Sequence, residues 1–236
     1  MKISLIIPMY NESKIIETTA KELSQYMGDN FDEYEILFSD DGSKDGCGAL
    51  VEALGLPCVR VVGYADNRGK GCAVRHAMLS ADGDIRIFTD ADLAYGTDVI
   101  KRAYDIMRSQ PDTDMLIGSR NIGKDGYEGY TLLRKLMSKI YIKVLCFTGG
   151  FKLSDSQCGF KAFRGETAYD IFSKCKVDGF AFDFEAILLA TKLGKQIGEM
   201  SVKIINHRES SIKPISDTIK MLGDLRRIKK DVNNRG

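Results

Sequence analysis

Histidine is almost missing from this chain: His76 and His207 are the only two in 236 residues, too far apart and too poorly accompanied to suggest a triad or a zinc site. Cysteine is sparse and irregular. Cys47, Cys58, Cys72, Cys146, Cys158 and Cys175 include no C-x-x-C pair and read as the reduced thiols of a cytosolic protein. The N-terminus lacks the basic region, apolar core and cleavage site of a signal peptide. No stretch approaches the ~18 to 20 continuous apolar residues of a spanning helix, so a cytoplasmic protein is expected, with any membrane contact at its surface. Net charge is missing too. Thirty-four Lys and Arg against 33 Asp and Glu exclude the overall basic character of a nucleic-acid binder. There is no Gly-x-Gly-x-x-Gly fingerprint and no Gly-x-Ser-x-Gly elbow. The glycines around Lys70 do not make a phosphate loop, because five residues separate Gly63 from Gly69 where four are required, and Gly71 stands where a metal-binding Ser or Thr belongs.

What is present begins with Phe88-Thr89-Asp90-Ala91-Asp92, where two carboxylates sit two residues apart at the end of the apolar run Ile85 to Phe88. An extended chain points both acids to one side. At the carboxyl end of a strand in an open α/β sheet that side faces ligands. Paired hard oxygen donors there suit Mg²⁺ or Mn²⁺ carrying a diphosphate. An isolated Asp-x-Asp is usually a solvated turn, so the surroundings decide. Apolar β-rich runs at Ile3 to Ile7, Glu35 to Phe38, Val59 to Val62, Ile85 to Phe88 and Met115 to Ile117 alternate with helical patterns near 12–27, 44–54, 69–80 and 97–108. This is the order of a mostly parallel sheet covered on both faces. Strand ends carry Pro8-Met9-Tyr10-Asn11-Glu12, Ser39-Asp40-Asp41-Gly42-Ser43 and Thr89-Asp90-Ala91-Asp92, three polar segments that converge on one edge. Lys70 and Arg75 are candidate electrostatic partners for a nucleotide.

Beyond Gly118 the alternation loosens. An amphipathic helix is expected from about Thr131 to Phe147, its second face basic through Arg134, Lys135, Lys139 and Lys143. Either a core helix with a solvated face or a surface turned to an acceptor or membrane fits that pattern. At the C-terminus, Lys213 to Gly236 holds seven Lys or Arg against three Asp. Its apolar Ile215, Ile219, Met221, Leu222, Leu225 and Ile228 fall across about half of a helical circumference, which predicts an interfacial helix over about 214–231.

Taken in order, Ile6-Ile7-Pro8-Met9-Tyr10-Asn11-Glu12, Ser39-Asp40-Asp41-Gly42-Ser43-Lys44-Asp45-Gly46, Asn67-Arg68-Gly69-Lys70-Gly71 and Thr89-Asp90-Ala91-Asp92 resemble family 2 glycosyltransferases of the GT-A fold. Gly69 to Arg75, Ile117-Gly118-Ser119-Arg120, Asp155 to Lys161 and Phe180 to Glu185 are similar to the dolichyl-phosphate glucosyltransferase branch, beside the dolichol-phosphate mannose synthases. The resemblance implies an α/β GT-A domain over 1–213 and a C-terminal amphipathic basic tail over 214–236. It implies that Pro8, Tyr10, Glu12 and Asp41 hold the nucleoside of a sugar nucleotide, with Lys70 and Ala91 in the same donor site. Asp90, Asp92 and Gln157 become ligands of Mg²⁺ or Mn²⁺. Arg120, Arg134 and Ser138 grip a lipid phosphate, and Arg208 with Lys213 belongs to a C-terminal loop that closes over the site.

The implied reaction is inverting transfer of a hexose, glucose from UDP-glucose, onto a polyprenyl phosphate at the cytosolic membrane face, with no nucleic-acid partner. A phosphomonoester is largely dianionic at neutral pH, so such an acceptor requires no strong base. A hydroxyl of a glycan or glycolipid is the rival acceptor, and it would require Asp155, Asp183 or Glu185 to take its proton. A non-catalytic nucleotide-sugar-binding subunit is the rival of another class. A glycoside hydrolase is disfavoured, since Asp90 and Asp92 share a side instead of flanking a glycosidic bond.

Overall fold

The computed structural model describes residues 1–123, 132–206 and 225–234, and of 132–138 the backbone alone. Fourteen elements lead from β1 (Ile3–Met9) through α1 (Ile16–Asn30), β2 (Tyr34–Asp41), α2 (Cys47–Ala53), β3 (Val59–Tyr64), α3 (Lys70–Ser80), β4 (Ile85–Phe88) and α4 (Asp98–Ser109) to β5 (Met115–Ser119), α5 (Leu132–Gly149), β6 (Lys161–Arg164), α6 (Gly165–Phe172), α7 (Phe182–Lys192) and β7 (Ile197–Ser201). A further helix, α8, spans 225–234. The seven strands form one sheet in the order β3-β2-β1-β4-β6-β5-β7. β1, β2, β3 and β4 are parallel, as are β5 and β7, while β6 runs against both of its neighbours. The mostly parallel sheet is the expected one.

Alternation along the strands divides the core in two. Leu5, Ile7, Ile36, Phe38, Ile85 and Ile87 point to one face, against Ile16, Ala20 and Leu23 of α1 and Val99, Ile100 and Ala103 of α4. Ile6, Leu37, Phe88, Met115 and Ile117 point to the other, against Val74 and Ala77 of α3 and the inner residues of α6 and α7. Six strands end on one edge, and β6 starts there. The loops after Met9, Asp41, Tyr64, Phe88, Ser119 and Ser201 therefore meet the loop that precedes Lys161.

Two helices begin later than the sequence pattern suggests. Asn11 takes a left-handed φ of 55°, and its backbone N–H donates to Ser43 Oγ while its Oδ1 accepts from the Lys44 N–H. The two loops are tied to each other, so α1 starts only at Ile16 and α2 only at Cys47. β6, β7, α6 and α7 escaped the sequence reading. Every residue from Phe182 to Ala190 is buried, and a helix wrapped on all sides shows no 3.6-residue polarity.

The C-terminal expectation needs correction where it can be seen. Leu225, Ile228 and Val232 of α8 are 1 to 3% exposed and sit in the second core. Lys192 Nζ donates to the carbonyls of Val232 and Asn233 at the end of that helix. The apolar side of 225–234 is thus used inside the domain and not offered to lipid. Residues 214–224 of the expected interfacial helix lie outside the described residues. Among the described residues no helix is long and apolar enough to cross a membrane.

Candidate active site

The strand-end loops bring most of the expected residues to one place. Pro8 is buried near the end of β1, and after Met9 come Tyr10, with nearly half of its surface exposed, and Glu12 at the rim. Ser13 N–H donates to Asp45 Oδ2, a second stitch between the loops after β1 and β2. Gly42 adopts φ 72°, and a Cβ there would meet the backbone of Asp66 and Asn67. Only glycine lets these two loops lie so close.

Asp41, expected to hold a nucleoside, is bound by the protein's own donors. It is 3% exposed, and its carboxylate accepts the Tyr64 hydroxyl at 2.6 Å, Asn67 Nδ2 at 2.8 Å and the backbone N–H groups of Arg68 and Gly69 at 2.9 Å each. With its lone pairs consumed, Asp41 shapes the donor side through the 64–69 loop. Arg75 is likewise spent elsewhere. Its Nη2 pairs with Asp178 Oδ1 at 2.5 Å, and Arg68 reaches the other oxygen of Asp178 at 3.3 Å. These contacts clamp the start of α3 to the loop before α7, so Arg75 is no direct partner of a nucleotide.

Lys70 does reach the centre. Its Nζ lies 2.5 Å from Asp90 Oδ1, with the two side chains 23% and 33% exposed. Burial lowers the Lys70 pKa, but Asp90, Asp183 and Asp92 outweigh it and leave the ammonium above its ordinary value. Ala91 is buried, its carbonyl accepting Thr19 Oγ1. Asp92 Oδ1 accepts the Ala94 N–H at 3.1 Å, a local turn that aims the side chain. Asn206 Nδ2 donates to the Leu93 carbonyl at 3.0 Å, and Ile205 N–H to that of Ala94. The chain thus leaves the described region from directly above the Asp90–Asp92 turn. Arg208 and Lys213, expected in the closing loop, lie outside the described residues.

Across the site, Asp155 is fully buried and holds Arg120. Arg120 Nε donates to Oδ2 at 2.7 Å, Nη2 to Oδ1 at 3.0 Å and the backbone N–H to Oδ2 at 3.2 Å. Gln157 N–H adds a fourth bond at 3.1 Å. Burial lowers the Arg120 pKa, but Tyr95 and Asp155 hold the guanidinium well above its usual range. Glu199 of β7 fixes this loop from behind through Ser154 N–H at 2.8 Å and Ser154 Oγ at 2.6 Å. Sequence reasoning missed Glu199, Asp178 and Asn206, whose partners are 44 or more residues away. Arg134 and Ser138 lie on α5, their side chains outside the described set.

Beneath Asp90 runs a second charged layer. Lys161, fully buried, lies 2.6 Å from Asp183 Oδ1, donates to the Cys158 carbonyl at 2.7 Å and sits 5.5 Å over the Phe88 ring. Burial raises the Asp183 pKa, an effect that Lys161 and Lys70 temper. Gly159 completes the floor. A Cβ there would land on Asp90 Oδ2, so the glycine is what gives that carboxylate its space.

The donor set fits a hard divalent cation. Asp90, Asp92 and the amide oxygen of the half-buried Gln157 offer oxygen only, and Asp90 already attracts a cationic partner. Among the described residues no three His, Cys, Asp or Glu side chains converge as a cage. An ion here would depend on oxygens from its ligand, as ions that carry phosphates do.

Comparison with known proteins agrees with this geometry. Residues 4–172 match the family model described as glycosyl transferase family 2. The dolichyl-phosphate beta-glucosyltransferase of Dictyostelium discoideum is 32% identical over 96% of this chain and 73% of its own length, and that of Homo sapiens 30% over 95% and 74%. Among solved structures, glucosyl-3-phosphoglycerate synthase of Mycobacterium tuberculosis in complex with UDP superimposes with a TM-score of 0.72 at 19% identity, covering 98% of this chain and 80% of that one. The same enzyme with Mn²⁺, UDP-glucose and phosphoglyceric acid gives 0.71 at 19%, over 98% and 80%. These two establish the fold. With the family model covering well over half of its length, the chain belongs to glycosyltransferase family 2 and is a glycosyltransferase.

Proposed function

We propose that this enzyme transfers glucose from UDP-glucose to the phosphate of a polyprenyl chain such as dolichyl phosphate, with inversion, using Mg²⁺ or Mn²⁺. The named relatives support the class of acceptor and sugar. The observation that carries the reading is the condition of the acids around the site. Asp155 accepts four hydrogen bonds. Glu185 is fully buried and accepts the N–H groups of Lys176 and Val177. Asp183 faces Lys161. None of the three candidates can deprotonate a hydroxyl without breaking its own anchor, which favours an acceptor that arrives as an anion.

Asp90, Asp92 and Gln157 are the residues that would hold the metal, whose charge neutralises the departing nucleoside diphosphate when bound. Tyr10, Glu12 and the loop shaped by Asp41 receive the nucleoside. Arg120, held rigid by Asp155, meets the acceptor phosphate, and Arg134 with Ser138 completes the grip. Positioning and charge do the work.

Peripheral contact with the cytosolic face of a membrane is part of the proposal. Ile140 and Phe147 of α5, seven residues apart on one side, are 54% and 90% exposed, with exposed Lys139 and Lys143 beside them. Incubating pure protein with a panel of labelled UDP- and GDP-sugars and polyprenyl phosphate tests the whole reading. Label should enter lipid from UDP-glucose. Transfer to glycan or phosphoglycerate hydroxyls but not to lipid phosphate would overturn the acceptor, and product from a GDP-sugar alone would overturn the donor.

A further inference from the structure

We propose that Lys70 is a resident counter-ion for Asp90 that gives up its place to the divalent cation and moves to the diphosphate, so that one side chain couples the two binding events. The inference rests on the metal reading above and deepens it. Three observations carry it. The Lys70 ammonium sits 2.5 Å from Asp90 Oδ1, on a carboxylate that the metal would also use. Both side chains remain partly exposed, which leaves the pair open to exchange, unlike the sealed Lys161–Asp183 pair below. The base of Lys70 is immobile: Asp41 fixes Gly69 N–H, and Cys72 N–H donates to the Asp178 carbonyl. Only the flexible four-carbon stem is free to swing.

The two positive charges compete for Asp90, since an ammonium and a divalent ion brought to one carboxylate repel each other across a few ångströms. The metal alone therefore pushes Lys70 off Asp90 with no phosphate oxygen there to take its charge. When a nucleoside diphosphate is present, its oxygens accept the displaced ammonium and also ligate the metal. Each ligand then raises the affinity for the other, and reciprocity requires the factor to be the same in both directions.

Calorimetry of Mn²⁺ binding with and without UDP tests this on wild type, Lys70→Met, Lys70→Gln and Asp90→Asn. Both Lys70 variants should bind Mn²⁺ alone ~3- to 10-fold more tightly than wild type, because the competitor is gone. UDP should improve their Mn²⁺ affinity by a smaller factor than it does in wild type. A second measurement uses the wild-type protein only, so folding of a variant is not at issue. Trace acetylation followed by peptide mass spectrometry should show Lys70 more reactive in Mn²⁺ than in metal-free buffer, and protected again when UDP is added. If the Lys70 variants bind Mn²⁺ alone no better than wild type, or Mn²⁺ leaves Lys70 reactivity unchanged, the exchange is wrong even though Asp90→Asn abolishes metal binding. If wild type binds no Mn²⁺ with UDP present, the metal reading itself falls and the exchange with it.

Discussion

Asp155 holds Arg120 in a two-pronged fork along one edge of its guanidinium, Nε to Oδ2 at 2.7 Å and Nη2 to Oδ1 at 3.0 Å, with the carboxylate fully buried. A paired buried carboxylate is a poor base and a good anchor. Asp155→Asn should therefore leave UDP affinity within a few-fold while lowering kcat/KM for polyprenyl phosphate ~10-fold, since charge-assisted bonds give way to neutral ones. A pH profile separates the roles: an anchor lowers the whole curve, whereas loss of the acidic limb would make Asp155 the base after all.

Metal and nucleotide should bind together through Asp90 and Asp92, because two carboxylates leave most of the coordination shell to the diphosphate. Asp92→Asn is expected to remove most activity without unfolding the protein. Calorimetry with UDP and Mn²⁺ is decisive here. Unchanged affinity in both Asp90→Asn and Asp92→Asn would sink the assignment.

Gly159→Ala places a methyl group on Asp90 Oδ2. Asp90 must then rotate away, so Mn²⁺-dependent UDP binding should weaken ~10-fold or more while the melting temperature changes little. An alanine variant with wild-type binding would show that the loop yields instead of the carboxylate.

Arg134→Ala should raise KM for polyprenyl phosphate or depress kcat, with UDP affinity within a few-fold. Equal loss of nucleotide binding would put Arg134 on the donor side.

The Lys161–Asp183 pair makes a stability prediction with a sign in pH. Lys161→Met leaves a buried carboxylate unpaired and should cost about 3 to 5 kcal/mol at neutral pH, whereas the double variant Lys161→Met, Asp183→Leu should recover most of that. Burial already raises the Asp183 pKa, and loss of Lys161 raises it further. A raised folded pKa means that the charged form costs stability above it, and that the cost is relieved as pH falls through it. Urea unfolding of Lys161→Met should accordingly show a smaller deficit in acid than at pH 7. A deficit that grows on acidification would contradict the pairing.

The alternation Leu5, Ile6, Ile7 and the polar run after each early strand were enough to specify a mostly parallel sheet with a site at one edge. Period-2 burial and strand-end motifs are local properties, legible wherever one face differs from the other. The later half was not legible in this way. α7 is buried all round, and β6 opens on a buried lysine, so neither shows the polarity that marks an element. The motifs named Asp41, Asp90 and Asp155 alike as site acids, yet only tertiary structure decided what each carboxylate does. Asp41 is consumed by a loop 23 to 28 residues on, Asp155 by an arginine 35 residues back, and Asp90 meets a lysine 20 residues back. A carboxylate's chemistry is set by the donors around it and by its distance from water, and the chain supplies both from positions that sequence order does not bring together.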